Sequence, residues 1–186
     1  MHRTLFVVCV LAIGLLPPIA DPEEARTPKG KVCWPLHFAG ITVGDTTDSQ
    51  VQRLLGRGVF RADEGHTGGR YFLDAKETAT LHVVEGVDRV VEELTLRIGV
   101  DPALKPSEHS AAASKWFQPQ EGFGNWHALH LGSSKKDVLE NLGEPQEVLK
   151  NKEWLYESTC SCELPNYLTI AFKNDRATEL GLSEEE

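Results

Sequence analysis

A short helix written twice constrains this chain more than any other feature. Val43 to Gly58 reads VGDTTDSQVQRLLGRG and Leu131 to Pro145 reads LGSSKKDVLENLGEP. At a constant offset of 87 positions, Thr47 falls on Ser134, Gln50 on Asp137, Val51 on Val138, Leu55 on Leu142 and Gly56 on Gly143. Thr47 and Ser134 carry side-chain oxygens that can cap free backbone N–H groups, and Gln50 and Asp137 can reach back to the cap's own N–H. Val51, Leu54 and Leu55 make one apolar stripe and Val138, Leu139 and Leu142 another, so each helix can bury one face. Gly56 and Gly143 stop the helices, and Pro145 blocks continuation of the second. Helices of about two turns are marginal in water by themselves, so each has to dock.

The same offset places Leu81 on Leu168, Val83 on Ile170, Asp88 on Asp175 and Arg89 on Arg176. Strands are predicted at Arg70 to Asp74, Thr80 to Glu85 and Val90 to Ile98, with turn chemistry at GluGlyValAsp 85–88 and LysAsnAsp 173–175. Beyond the turn the first copy has one extra residue, which an antiparallel ladder has to absorb in a bulge, placed near Glu92 and Glu93. Leu94, Leu96 and Ile98 then share one face, as do Leu180 and Leu182. The expected fold is α+β, two tandem units, each with short helices packed on one face of an antiparallel β-sheet.

Around this repeat the chain divides at residues 1–20, 21–32, 33–100, 101–125 and 126–186. Residues 1–20 carry Arg3, an apolar run from Leu5 to Leu16 and then ProProIleAla, the layout of a signal peptide. That run is shorter than the roughly 20 residues of a membrane span, so no stable insertion is expected after cleavage. Residues 21–32 read as a flexible leader, 33–100 as the first repeat and 126–186 as the second. Residues 101–125 connect them, with a short helix expected from Ser107 to Phe117. The formal charge is -9, which disfavours nucleic acid and anionic lipid. Export exposes Cys33, Cys160 and Cys162 to oxidation, and a Cys160–Cys162 ring would be very tight, so Cys33 is expected to pair with one of those two. In the chain-entropy model such a long loop is worth at most about 5 kcal/mol.

A unit of Gly, a capped two-turn helix ending in LeuGly, an aromatic strand (EWLYES), a Leu-x-Ile-x-Phe strand (YLTIAF), then Asp-Arg and a Leu-x-Leu strand resembles a known pattern. It looks like the repeat shared by the SmpA/OmlA family of outer-membrane assembly lipoproteins and the beta-lactamase inhibitor protein family. The match covers residues 131–182 and, more loosely, 41–98. Two copies in one exported chain look most like the inhibitor protein, which implies a concave sheet surface that binds another protein. The motifs are structural, and no binding residue is carried over by them.

If helices cover one side of the sheet, Thr80, His82, Glu93, Thr95 and Arg97 in the first copy and Tyr167 and Thr169 in the second occupy the open side. Asp63, Glu64 and His66 would form one part of its rim, and Glu163 and Asn166 another. Such a polar and aromatic surface suits a protein partner. The expected function is therefore that of an exported, non-catalytic protein-binding module without a cofactor, periplasmic or secreted. The alternative is an envelope ligand- or metal-binding protein using Cys160, Cys162 and histidines. His127 and His130 are three apart, which in an extended stretch turns them to opposite sides and disfavours joint chelation. The glycine-rich loop at His66 lacks the following helix that a phosphate cradle needs.

Overall fold

The computed structural model describes residues 37–62, 68–119, 129–158 and 166–184. The N-terminal segment with Cys33, the loop with Asp63, Glu64 and His66, and the stretches holding His127, Cys160, Cys162 and Glu163 lie outside them. A small hairpin, β1 (His37–Phe38) and β2 (Ile41–Thr42), precedes helix α1 (Asp48–Leu55) and strands β3 (Val59–Arg61), β4 (Gly68–Leu73), β5 (Ala79–Glu85) and β6 (Val91–Ile98). A 3-10 turn at Pro106–Glu108 leads into α2 (His109–Ala112), and then come α3 (Lys135–Leu142), β7 (Glu147–Val148), β8 (Trp154–Ser158), β9 (Asn166–Lys173) and β10 (Arg176–Glu184). The fold is α+β, and eight strands form one antiparallel sheet in the order β3-β4-β5-β6-β10-β9-β8-β7.

Both helices begin as their cap residues require. In α3 the Asp137 N–H donates to Ser134 Oγ at 3.1 Å while the Ser134 N–H donates to Asp137 Oδ2 at 2.9 Å, the full reciprocal box. In α1 the return leg is present, the Thr47 N–H and hydroxyl both donating to Gln50 Oε1 at 2.7 and 2.9 Å. Each helix ends on a positive-φ glycine, Gly56 at 97° and Gly143 at 76°, a conformation that costs a residue with a Cβ. Val51 and Leu55 of α1 and Val138 and Leu142 of α3 enter one continuous core with Leu81, Val83, Leu94, Leu96, Leu168, Ile170, Leu180 and Leu182 of the sheet. Leu54 and Leu139 stay outside that buried set, Leu54 being 39 % exposed.

The hairpins β5–β6 and β9–β10 correct the placing of the extra residue. Bulges occur in both, at Glu92 between the pairs Val84–Glu93 and Glu85–Val91, and at Thr178 between Ala171–Glu179 and Phe172–Ala177. The bulge is therefore common to the two hairpins. The additional residue sits in the turn: Gly86 and Val90 are bonded across Val87-Asp88-Arg89, whereas Lys173 and Arg176 pair across Asn174-Asp175 alone. Asn174 and Asp175 both take positive φ, the backbone of a tight primed turn, while only Arg89 does so in the longer one.

The connecting segment also departs from expectation. Its helical part spans Pro106 to Ala112, not Ser107 to Phe117, because Pro106 supplies a fixed φ at the first helical position and Ala113 is extended. This segment crosses the face that the core does not use. Leu104 and Ala112 pack with Val59 and Leu73 in a second, smaller cluster flanked by Tyr71 and Val100. Arg61–Glu108 at 2.5 Å and His109–Glu77 at 3.0 Å clamp it there. Phe117 then returns to the main core, edge-on to Phe38.

Candidate functional site

The connecting segment lies as a strap over part of the sheet face opposite α1 and α3, covering its β3–β4 end and, where the chain turns at Gly99 and Asp101, the Thr80 end of β5. Thr80 accordingly belongs to the interior. It is 1 % exposed, its hydroxyl donating to Gly99 O at 2.7 Å and accepting from the Asp101 N–H at 2.9 Å as the chain turns back from β6. Its expected place on an open surface is corrected: the strap, drawn in by the apolar Leu104 and Ala112, buries it.

The remaining residues fall into transverse rows fixed by strand register. Tyr71, His82, Thr95, Gly181, Thr169 and Leu155 are successive partners from β4 to β8, all alternating with core residues and all half-buried. Tyr71 and His82 stack with ring centroids 4.1 Å apart and planes 11° from parallel. Gly69 makes room for that imidazole, since a Cβ there would strike His82 Nε2. Gly181 does the same for Thr169, whose hydroxyl occupies the space a Cβ would need. One row further along, Glu93, Ser183, Tyr167 and Glu157 are partners across β6, β10, β9 and β8. Thr95 donates its hydroxyl to Glu93 Oε1 at 2.7 Å.

Arg97 lies in the next row the other way and spans the β6–β10 seam. Its guanidinium donates to Glu179 Oε2 at 2.6 and 2.8 Å and to Asp101 Oδ2 at 2.9 Å. Burial acts to lower its pKa, yet these two carboxylates outweigh it and hold the guanidinium above its usual range. Arg97 thus ties both the seam and the start of the strap, a structural duty that its sequence position did not reveal. Asn166 begins β9, in line with Ser158 and Glu184.

His130 is engaged locally: its N–H donates to Ser133 Oγ at 3.0 Å, and its ring Nδ1 meets Leu131 O at 2.7 Å. Among the described residues no three His, Cys, Asp or Glu side chains are placed to hold a metal ion together.

A charge cluster that sequence reasoning missed lies on the helix side. Arg70 bonds both carboxylate oxygens of Asp48, with Nη2 to Oδ2 at 3.1 Å, and its Nε is 3.3 Å from Glu85 Oε1. Glu85 is 2 % exposed, and that oxygen has no hydrogen bond. Burial, then the hydrogen bond and charge of Asp48, push the Glu85 carboxyl up to about 7, with Arg70 opposing. Burial also acts to raise Asp48, but hydrogen bonds involving Arg70, Glu85 and Gln52 overcome it and leave this carboxyl below its usual value. The available signal was the offset of 87 positions, which sets Asp48 against Lys135 and Glu85 against Phe172.

No family model matches the chain, and no curated protein matches it. A solved structure of a DUF4309 family protein (YjgB) from Bacillus subtilis is similar at 15 % identity and a TM-score of 0.47, covering 78 % of this chain and 83 % of that one. No residue role or ligand follows from so distant a likeness.

Proposed function

We propose that the chain is a tandem pair of helix-and-sheet units serving as an exported, non-catalytic protein-binding module, inhibitor-like or envelope-assembly-like, with the sheet face opposite α1 and α3 as its binding surface. The seam between β6 and β10 supports the duplication. There Glu93 pairs with Ser183, Leu94 with Leu182, Thr95 with Gly181, Leu96 with Leu180 and Arg97 with Glu179. Taking Thr95 and Gly181 as equivalent, each pair maps onto its reverse, as a pseudo-twofold axis through those two residues demands. The helix caps agree, Thr47 bridging Val90 and Ser134 bridging Arg176, with the Asp48 N–H on Arg89 O and the Lys135 N–H on Asp175 O, both at 3.1 Å.

One observation carries the binding role: a continuous sheet joins the units, so the row from Tyr71 and His82 to Thr169 and Leu155 forms a single polar-aromatic surface on rigid backbone. Rigid aromatic side chains lose little entropy on contact and tend to anchor interfaces. The resemblance of both units to the inhibitor and assembly-lipoprotein repeat favours the same use. Periplasmic or secreted localisation rests on the signal-peptide layout of residues 1–20, and with it the pairing of Cys33 with Cys160 or Cys162. Thiol counting on the unfolded, unreduced mature chain should find one free cysteine, and three would overturn both export and disulfide. The function is tested by replacing His82 and Tyr167 together with alanine, checking that thermal unfolding is unchanged, and repeating a pull-down from cell-envelope extract. Retention of every co-purifying protein at the same strength would place the binding surface elsewhere.

A further inference from the structure

The row Glu93, Ser183, Tyr167, Glu157 puts two carboxylates at the ends of a line drawn across four strands, with a tyrosine ring and a small hydroxyl between them. Neither Glu93 nor Glu157 forms an ion pair among the described residues, and both are half-buried. Arg61, in the same row across Gly69 and Val84, is already held by Glu108, and Arg97, two rows along β6, by Glu179 and Asp101. Lys173 lies beyond that pair, at the tip of β9. Among the described residues the middle of the face is therefore acidic, on a chain whose formal charge is -9.

We infer that this face takes an extended, basic polypeptide segment laid across the strands, with Lys or Arg side chains four residues apart seated on Glu93 and Glu157. The inference rests on the protein-binding reading above and names the chemistry of the partner. Spacing sets the direction and the interval. Three strand-to-strand steps of about 4.8 Å separate the two carboxylates by roughly 14 Å, and an extended chain covers nearly the same distance in four residues at about 3.4 Å each. Side chains four apart in an extended segment point the same way, so both cations can face the sheet at once. The hydrogen bond from Thr95 holds the Glu93 carboxylate against the sheet before any partner arrives, which lowers the ordering cost of binding.

The probe is a fluorescein-labelled peptide with two arginines four apart in a serine-threonine background, measured by anisotropy at low and physiological salt and by amide chemical-shift mapping on the full mature chain. The expected result is binding that weakens with salt, shifts confined to β6, β8, β9 and β10, and a loss of about tenfold in Glu93→Gln/Glu157→Gln, the sum of two solvent-screened pairs. The pair Glu140→Gln/Glu144→Gln removes the same charge on the α3 side and should lose less than about twofold. An isomer with adjacent arginines should bind several times more weakly. Equal losses in the two variants, or indifference to arginine spacing, would reduce the effect to general attraction and overturn the inference. If apolar or acidic peptides shift the face residues and the basic one does not, the basic partner is wrong while the face remains a binding surface. If no peptide and no captured protein shifts them, both readings fall.

Discussion

The corner where α1 begins over β5–β6 and the corner where α3 begins over β9–β10 make the same kind of backbone bridge and are filled with opposite chemistry. In the first half the corner holds Asp48, Arg70 and Glu85, a guanidinium between two carboxyls, with Phe60 packed 5.0 Å from Arg70. In the second, the matching places hold Lys135, Trp154 and Phe172. There the two rings lie 4.6 Å apart and the Lys135 ammonium sits 5.7 and 5.4 Å from their centroids. Arg70 pairs with Val83 in register and Trp154 with Ile170, while Glu85 and Phe172 each face the residue beside a bulge. The difference teaches that the helix-to-hairpin junction is held by capping and by the leucine stripe, leaving the corner free to vary. It also places the buried carboxyl of Glu85 in the first corner, where the second holds the ring of Phe172.

The largest expected effect tests what the halves share. Leu55→Ala and Leu142→Ala each remove the last stripe residue of a two-turn helix from the common core and should cost about 2 to 5 kcal/mol in chemical denaturation. A loss below about 0.5 kcal/mol in either would mean that helix is not docked. Both variants should still unfold in one transition, because the core is continuous.

Next comes the first corner. Arg70→Ala leaves Asp48 and Glu85 facing each other without their cation and should cost about 3 kcal/mol near neutral pH. Glu85→Gln should do the reverse in alkaline solution. Glu85 binds its proton more tightly folded, at about 7, than at its ordinary 4.5, so its contribution to stability is present below 4.5 and is lost as pH rises through 7. Asp48, lowered in the folded state, has the opposite sign and loses its contribution as pH falls below its ordinary 3.8. The Gln variant should therefore be more stable than the natural chain by about 1 to 3 kcal/mol at pH 8 to 9, with the difference shrinking toward pH 4. Thermal unfolding across that range checks it, and a difference independent of pH would mean Glu85 is not the group that titrates. The smallest effect belongs to the second corner. Lys135→Ala should cost less than about 1 kcal/mol, since its cation–π contacts and its pair with the exposed Asp175 are solvated.

How far the chain was legible depended on the range of the forces involved. Ser134 with Asp137, and Thr47 with Gln50, act within one helical turn and were readable as caps. The alternation of Leu94 and Leu96 likewise placed one face of β6 in the core. Thr80 obeyed the same alternation and was misplaced, because whether its side stays wet depends on Leu104 and Ala112, which lie more than twenty residues away. Arg97 fell on the expected side, yet its bonds to Glu179 and Asp101 make it a clasp. Tyr71 and Glu157 went unnamed because only register shows that they neighbour His82 and Tyr167.

By itself the sequence determined the capped helices, the strand faces, the turn positions and the acidic charge, all of which follow from residues within a few positions of one another. Tertiary structure alone decided that two sets of strands become one sheet through β6 and β10, that the strap covers the β3–β4 end of the face opposite the helices together with Thr80 of β5, and that Asp48, Arg70 and Glu85 share a buried corner. Those outcomes depend on which distant apolar surfaces meet and which backbone edges find each other, and nearest-neighbour chemistry carries no record of that choice.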